Sequence, residues 1–300
     1  MLPQDELAQL IERYSGGPGI HPTAVPRLTL IRTDRPTEPL HALHEPALCL
    51  VAQGRKVVML ADTIFEYDRS KFLVVSVDVP VVGQVIEASA AEPYLCLRLD
   101  LDPAVLGSLM LDAGVKPSHA GQPGSSLMLS AVTPDLLDAA VRLVRLLATP
   151  RDIPILAPLA EREILYRLLL GEQAGRLQQI ARADSKLQQV NRAVTWIRNN
   201  YDKPFSIDTV AAEARMSASA LHEHFKAVTE MTPLQYQKQL RLQQARLLMF
   251  GQTLDAASAS HRVGYESPSQ FSREYARLFG APPLRDIARL RAAPDAVFGS

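Results

Sequence analysis

Apolar and polar positions change rhythm several times along the chain. Leu7, Leu10 and Ile11 share a helical face before Ser15-Gly16-Gly17-Pro18-Gly19 interrupts it, which predicts a short leading helix over Leu2 to Tyr14. From Val25 to Leu101 the rhythm is that of strands. Leu28 to Arg32, Ala47 to Ala52, Lys56 to Leu60, Thr63 to Tyr67, Phe72 to Val77, Val81 to Ala88 and Tyr94 to Leu101 are short runs rich in Val, Ile and Leu. Their spacing of roughly 8 to 12 residues suggests an all-β sandwich or barrel. Ala61-Asp62 reads as a tight hairpin and Gln53-Gly54 as another turn.

Helical spacing returns at Pro103 to Gly114, and a Gly-, Pro- and Ser-rich loop runs from Val115 to Ser126. Pro134 to Leu147 presents a broad apolar face with Arg142 and Arg145 opposite, and Pro158 to Leu170 repeats the style with Leu159, Ile164, Leu165, Leu168 and Leu169. Two such helices after a barrel either pack on it or pair with a second subunit, and the two uses are compatible. Gly171 to Lys186 turns polar and marks a boundary, so one domain is expected over 1–175 and another over 184–290. Leu187, Val190, Val194 and Ile197 open the second with a helix carrying Trp196. Tyr201-Asp202-Lys203-Pro204 ends it, because proline disfavours helix at the residue before it.

Two helix-turn-helix patterns then follow in tandem. In the first, Ile207 to Ala214 is a short helix, Arg215 to Ser217 the turn, and Ser217 to Thr229 a second helix with Leu221, Phe225 and Val228 on one face. In the second, Thr253 caps a helix of small residues and Val263-Gly264-Tyr265 turns. Ser267-Pro268 opens a helix to Phe279, which Gly280, Pro282 and Pro283 stop as the last one. Ser217, Ser219, Leu221 and Phe225 recur 50 residues later as Ser267, Ser269, Phe271 and Tyr275. Any pair of amphipathic helices imitates one such pattern, but two copies at a fixed offset point to DNA binding.

Composition adds modestly to this picture. Three hundred residues, 47% of them apolar, suffice for about two domains with a core each. Net charge is zero, yet residues 184–300 hold 15 Lys and Arg against 11 Asp and Glu, while 1–183 hold 17 against 21. The positive end is the one with the helix-turn-helix pair, as attraction to phosphate requires. Cys49 and Cys96 sit in apolar strand-like runs. They fit a reduced cytosolic protein, as core residues or as a redox- or electrophile-sensing pair. No signal peptide is seen and no run approaches ~18 apolar residues, so a cytoplasmic protein without membrane spans is expected.

The run Gly264-Tyr265-Glu266-Ser267-Pro268-Ser269-Gln270-Phe271-Ser272-Arg273-Glu274-Tyr275, followed by Phe279-Gly280-Ala281-Pro282-Pro283, resembles the signature of the AraC/XylS family of bacterial transcription regulators. Pro233-Leu234-Gln235-Tyr236 with Arg241-Leu242 and Ala245-Arg246 is similar to that family's linker helix. Glu45-Pro46-Ala47-Leu48-Cys49-Leu50, Phe65-Glu66-Tyr67, Ser76-Val77-Asp78-Val79-Pro80 and Leu97-Arg98-Leu99-Asp100 resemble the subgroup with the family's own N-terminal sensing module. The resemblance implies an α+β chain: an N-terminal cupin-like β-barrel with trailing helices, then an all-α C-terminal domain of two helix-turn-helix motifs joined by a linker helix. It implies double-stranded DNA and RNA polymerase as partners and no cofactor. It also implies a small-molecule effector, in some members of the subgroup a small reactive aldehyde. The alternative is an N-terminal domain that only dimerises or contacts polymerase.

Helical periodicity turns Ser219, His222, Glu223 and Lys226 outward on the first recognition helix, and Ser269, Gln270, Arg273 and Arg277 on the second. Ser217 and Ser267 start those helices. The family's base-reading positions map onto Ser219, His222 and Glu223, and onto Ser269, Gln270 and Arg273. Arg273 suits bidentate pairing with guanine and Gln270 with adenine. Glu223 departs from the basic or long polar residue that relatives place there. It accepts only, or belongs with His222 to a solvated face with an internal ion pair. Lys226, Lys238, Arg241, Arg246 and Arg277 are phosphate clamps or surface cations. The linker helix over Pro233 to Phe250 would be about 27 Å long, against about 34 Å between successive major-groove faces, so one protomer can span two grooves. An enzyme on the barrel is the rival reading, but the only candidate metal ligands are His41, His44 and Glu45 on an apparent loop, and no catalytic motif is present.

Overall fold

The computed structural model describes residues 2–114, 124–252 and 254–292, and the chain divides into two compact units between Gln188 and Gln189. The first unit opens with helix α1 (Pro3–Ser15), where Asp5 and Glu6 meet the partial positive charge of the first turn and Gly16 ends the helix in left-handed backbone. Strands β1 (Gly19–Pro22), β2 (Leu28–Thr33), β3 (Leu40–His44), β4 (Ala47–Gln53), β5 (Arg55–Leu60), β6 (Thr63–Asp68), β7 (Lys71–Val75), β8 (Val79–Glu87) and β9 (Tyr94–Asp100) follow. Then come α2 (Pro103–Asp112), β10 (Leu127–Ala131), α3 (Pro134–Arg145), α4 (Ile153–Leu170) and α5 (Ala174–Ala181). The strands form a six-stranded sheet, β1-β2-β9-β4-β7-β10, and a four-stranded sheet, β3-β8-β5-β6. Together they make a cupin-like β-barrel, with Leu48, Leu50, Leu73, Leu97 and Leu99 of the larger sheet and Val58 and Leu60 of the smaller all buried. In the hairpin between β5 and β6, Leu60 pairs with Thr63 across Ala61-Asp62.

Several expectations need correction. β1, β3 and β10 were not anticipated. His41 and His44 lie on β3, paired with Val82 and Val79, rather than on a loop. α4 starts at Ile153, with Pro154 in the first turn where no backbone bond is lost, and runs on through Pro158, which forfeits one bond of the ladder. The polar stretch expected to mark the domain boundary contains α5, which buries Leu177 and Ile180 together with Gln178 and Gln179. Long polar side chains lay their apolar stems against a core, so composition hides such a helix. Most of the loop expected from Val115 to Ser126 lies outside the described residues.

The second unit is helical. α6 (Lys186–Asn199) leads into α7 (Ile207–Ala214), α8 (Ala218–Thr229), α9 (Pro233–Gly251), α10 (Ala256–Arg262), α11 (Pro268–Phe279) and α12 (Pro283–Ala292). α9 starts with a reciprocal cap: the Thr232 hydroxyl accepts from the Gln235 amide, and the Gln235 side chain accepts from the Thr232 amide. α12 is a further helix beyond the stop expected after Phe279. Pro283 at its first position suits a helix start as well as a stop. Ile287 and Leu290 of α12 join Leu242, Met249, Val263, Phe271, Tyr275 and Phe279 in one core.

Candidate nucleic-acid interface

Local hydrogen bonds build both helix-turn-helix copies. In the first, the Ser206 hydroxyl caps α7 by accepting from the Thr209 amide, and α7 ends at Arg215 with φ 56°. The Ser217 hydroxyl accepts from the Ala220 amide at 3.2 Å and starts α8. Leu221, Phe225 and Val228 are buried, and the Phe225 ring meets Tyr236 of α9 edge-on at 5.5 Å. Ser219, His222, Glu223 and Lys226 point the other way and are exposed. Among the described residues these four side chains make no hydrogen bond or ion pair, so no internal ion pair joins Glu223 to His222.

The second copy repeats the plan with one residue more between its two caps: Ser206 and Asp255, the first caps, are 49 positions apart, but Ser217 and Ser267, the second caps, are 50. Thr253, the expected cap of α10, lies outside the described residues. The side chain that caps this helix is Asp255, accepting from the Ser258 amide at 2.8 Å. Gly264 adopts φ 87°, and a Cβ there would run into the Asp202 carbonyl. The Ser267 hydroxyl accepts from the Gln270 amide at 3.3 Å and starts α11. Phe271, Tyr275 and Phe279 are buried, while Ser269, Gln270, Arg273 and Arg277 are exposed. Ser269, Arg273 and Arg277 make no side-chain hydrogen bond or ion pair among the described residues. Gln270 differs, because its Nε2 donates to Glu274 Oε1 at 3.1 Å.

Three of the five cations considered as phosphate clamps are internal ties. Arg241 donates to the carbonyls of Tyr201 at 2.6 Å, Lys203 at 2.7 Å and Gly264 at 2.8 Å. Arg246 grips Asp286 with two hydrogen bonds of 2.8 and 2.9 Å. Asp286 is fully buried and also accepts from the Tyr275 hydroxyl at 2.8 Å. Lys238 donates to Glu274 Oε1 at 2.8 Å, and the Tyr265 hydroxyl donates to Glu274 Oε2 at 2.7 Å. Burial alone would raise the Glu274 carboxyl, but Lys238, Gln270 and Tyr265 outweigh it and hold the group below its ordinary pKa. Lys226 and Arg277 remain outward-facing.

Two Ser-capped helices with exposed polar faces are thus joined by one long helix. Residues 210–288 match the profile of a helix-turn-helix domain, and residues 24–176, half of the chain, match that of the AraC-type transcriptional regulator N-terminus. The chain belongs to the AraC-type transcriptional regulators. This AraC-type regulator is 30% identical over 133 residues to the HTH-type transcriptional activator RhaS of Escherichia coli (strain SE11), a stretch covering 44% of this chain and 47% of RhaS. The chain thus spans about half the length of the curated relatives it matches. In fold it is similar to ToxT from Vibrio cholerae, with a TM-score of 0.57 at 10% identity over 87% of this chain and 97% of ToxT. Unsaturated fatty acid-bound wild-type ToxT from strain SCE256 gives a TM-score of 0.53 at 9% identity, covering 87% of this chain and 93% of ToxT.

The barrel of this AraC-type regulator places Lys56, Tyr67 and Tyr94, which the sequence did not single out, around the two cysteines that it did. Cys49 faces Arg98 across β4 and β9, and Cys96 faces Val51, which sets the two cysteines diagonally on one face of neighbouring strands. The Cys96 thiol donates to the Leu97 carbonyl at 3.3 Å; the closeness of the two thiols pushes the Cys49 pKa down and that of Cys96 up, and Lys56 and Arg98 also favour the Cys49 thiolate. Lys56 on β5 is 4% exposed, and burial pushes its pKa down. Tyr67 and Tyr94, both buried, have their hydroxyls pushed up by burial. The alternation of β5 held the signal, since Lys56 shares its inward side with Val58 and Leu60. Among the described residues no cluster of three or more His, Cys, Asp or Glu is arranged to hold a metal, and no helix is long and apolar enough to cross a membrane.

Proposed function

We propose that this chain is a sequence-specific regulator of transcription that lays α8 and α11 in two successive major grooves of double-stranded DNA. The observation that carries the reading is the set of seven exposed polar side chains without internal partners: Ser219, His222, Glu223 and Lys226 on α8, and Ser269, Arg273 and Arg277 on α11. Polar faces left open on two capped helices suit base edges and phosphates. The 19-residue α9 is about 28 Å long at the usual rise, which supports spacing the two helices by one groove repeat. Arg273 pairs with guanine, Gln270 with adenine, and Lys226 and Arg277 with phosphates. Ser217 and Ser267 act as caps that aim these helices. In vitro selection with the wild-type chain and with Arg273→Ala at one salt concentration tests this. Two enriched elements about one helical turn apart, one relaxed in the variant, are expected, whereas affinity that only weakens uniformly with salt defeats the reading.

The N-terminal barrel, over about 1–175, takes a small-molecule effector and signals to the C-terminal region, over about 184–290, in the cytoplasm, with RNA polymerase as the further partner. The buried Lys56, Cys49 and Cys96 favour an electrophilic effector such as a small aldehyde. Thermal shift with aldehydes and with a general metabolite panel checks this, and an undiminished aldehyde response in the Cys49→Ser, Cys96→Ser chain excludes the thiols.

A homodimer is the second proposed assembly, favoured by the outer face of α4. Ile155 is 70% exposed, Leu159 60% and Leu170 61%, and Tyr166 lies between them. About the midpoint between Arg162 and Glu163, Leu159 mirrors Tyr166 and Ile155 mirrors Leu170. An antiparallel second copy would therefore meet apolar with apolar at each level, and its two Arg162 and two Glu163 cancel in charge. Sedimentation of Leu159→Glu should show loss of the dimer.

A further inference from the structure

Gln270 is the one outward side chain of the second reading helix whose polar end is already engaged inside the protein. Its partner, Glu274, lies one helical turn further along α11 and binds two other elements as well: Lys238 on α9 and Tyr265 in the turn before α11. We infer that Glu274 is a positioning residue for base recognition, setting which way round the Gln270 amide meets DNA. The inference rests on the proposal that α11 enters the major groove.

The argument follows from the chemistry of the two groups. An amide side chain has an acceptor at one end and a two-hydrogen donor at the other, and on an exposed helix face it rotates between both orientations. An ionised carboxylate only accepts. Glu274 is 22% exposed at its side chain and held ionised by the Lys238 ammonium, so only the NH2 end of Gln270 can turn toward it. One amide hydrogen is used in that contact. The other hydrogen and the carbonyl oxygen then form an outward edge with donor and acceptor in a defined order. Adenine presents N7 as acceptor and N6 as donor in the major groove, and it pairs with that edge in two hydrogen bonds. A flipped amide presents the same groups in reverse order and loses the match.

The ties of Glu274 reach beyond its own helix. Lys238 belongs to the helix that joins the two reading heads, so a shift of α9 relative to α11 moves the cation that holds the carboxylate. Base preference at the Gln270 position is in this way linked to the placement of the linker helix. α8 has no equivalent, since His222, Glu223 and Lys226 make no such contacts among the described residues.

The test is in vitro selection with the full chain as wild type, Gln270→Ala, Glu274→Gln and Arg273→Ala, with thermal midpoints measured in parallel. Gln270→Ala should erase an adenine preference at one position. Glu274→Gln, which is satisfied by either end of the amide, should weaken the preference at that same position by about tenfold. The position lost in Arg273→Ala should stay intact in Glu274→Gln. Tyr265→Phe, which leaves the Gln270 contact in place, should keep both preferences. If Glu274→Gln fails to fold, Glu274→Asp, one methylene short of the amide, reads the same position with the same expectation. Full retention of the Gln270-dependent adenine in these Glu274 variants overturns the inference and leaves DNA reading by α11 standing. Equal weakening at every position, or weakening in Tyr265→Phe, marks general loosening and also overturns it. A wild-type chain that enriches no element removes the proposal on which the inference rests.

Discussion

The second helices of the two helix-turn-helix copies share a serine cap, a length of 12 residues and an apolar face, yet the copies are wired differently. α8 carries Ser219, His222, Glu223 and Lys226 as independent side chains, and its turn uses an ordinary residue, Arg215, in left-handed backbone. α11 is held by a carboxylate linked to three elements, its turn needs Gly264, and the buried Arg246–Asp286 pair fastens α12 beside it. A repeat in sequence is therefore not a repeat in mechanical coupling. The second copy is connected to the linker helix through charged groups, and the first meets it through the Phe225–Tyr236 ring contact.

The largest expected effect comes from cutting the buried pair. Arg246→Ala leaves Asp286 charged and buried and should cost about 3–5 kcal/mol, softened by Tyr275 and Arg289, which also bond to Asp286. Hydrogen exchange should show α11 and α12 opening first. Next is the turn: Gly264→Ala puts a Cβ against the Asp202 carbonyl at positive φ and should cost more than about 2 kcal/mol by urea titration. Arg273→Ala should lose about 1–3 kcal/mol of binding to its preferred site and little to mismatched DNA, whereas Lys226→Ala should weaken all sequences alike and reduce the salt slope by about one.

Smaller effects sharpen the contrast. Because the folded-state pKa of Glu274 is lowered, its contribution to stability is present above the unfolded carboxylate pKa and is lost as pH falls through the folded value. Thermal midpoints of wild type and Glu274→Gln should therefore converge in acid; a constant gap would contradict this. Smallest of all, Arg215→Gly should change stability by less than about 0.5 kcal/mol, in the favourable direction, as relief of left-handed backbone offsets the greater freedom of glycine in the unfolded chain. A loss as large as that of Gly264→Ala would make the two turns alike after all.

What the amino-acid order determined by itself is what neighbours in the chain can decide. Helical faces such as Leu221, Phe225 and Val228, the Ser217 and Ser267 caps and the Ala61-Asp62 hairpin depend on groups within a few residues of each other, so their periodicity and spacing were readable. Strands β1, β3 and β10 were not, because each is too short to carry a pattern of its own and owes its form to pairing with β2, β8 and β7. The same limit applied to single side chains. Arg241, Arg246 and Lys238 looked like surface cations, and only the tertiary structure turned them onto the carbonyls of Tyr201 and Gly264, onto Asp286 and onto Glu274, partners 23 to 40 residues distant. Lys56 likewise looked like the polar start of a strand until the two sheets closed around it beside Cys49 and Cys96. Sequence determines which side of an element a residue takes, because backbone geometry is local. What waits on that side, water, DNA or a buried carboxylate, is decided only when distant segments meet.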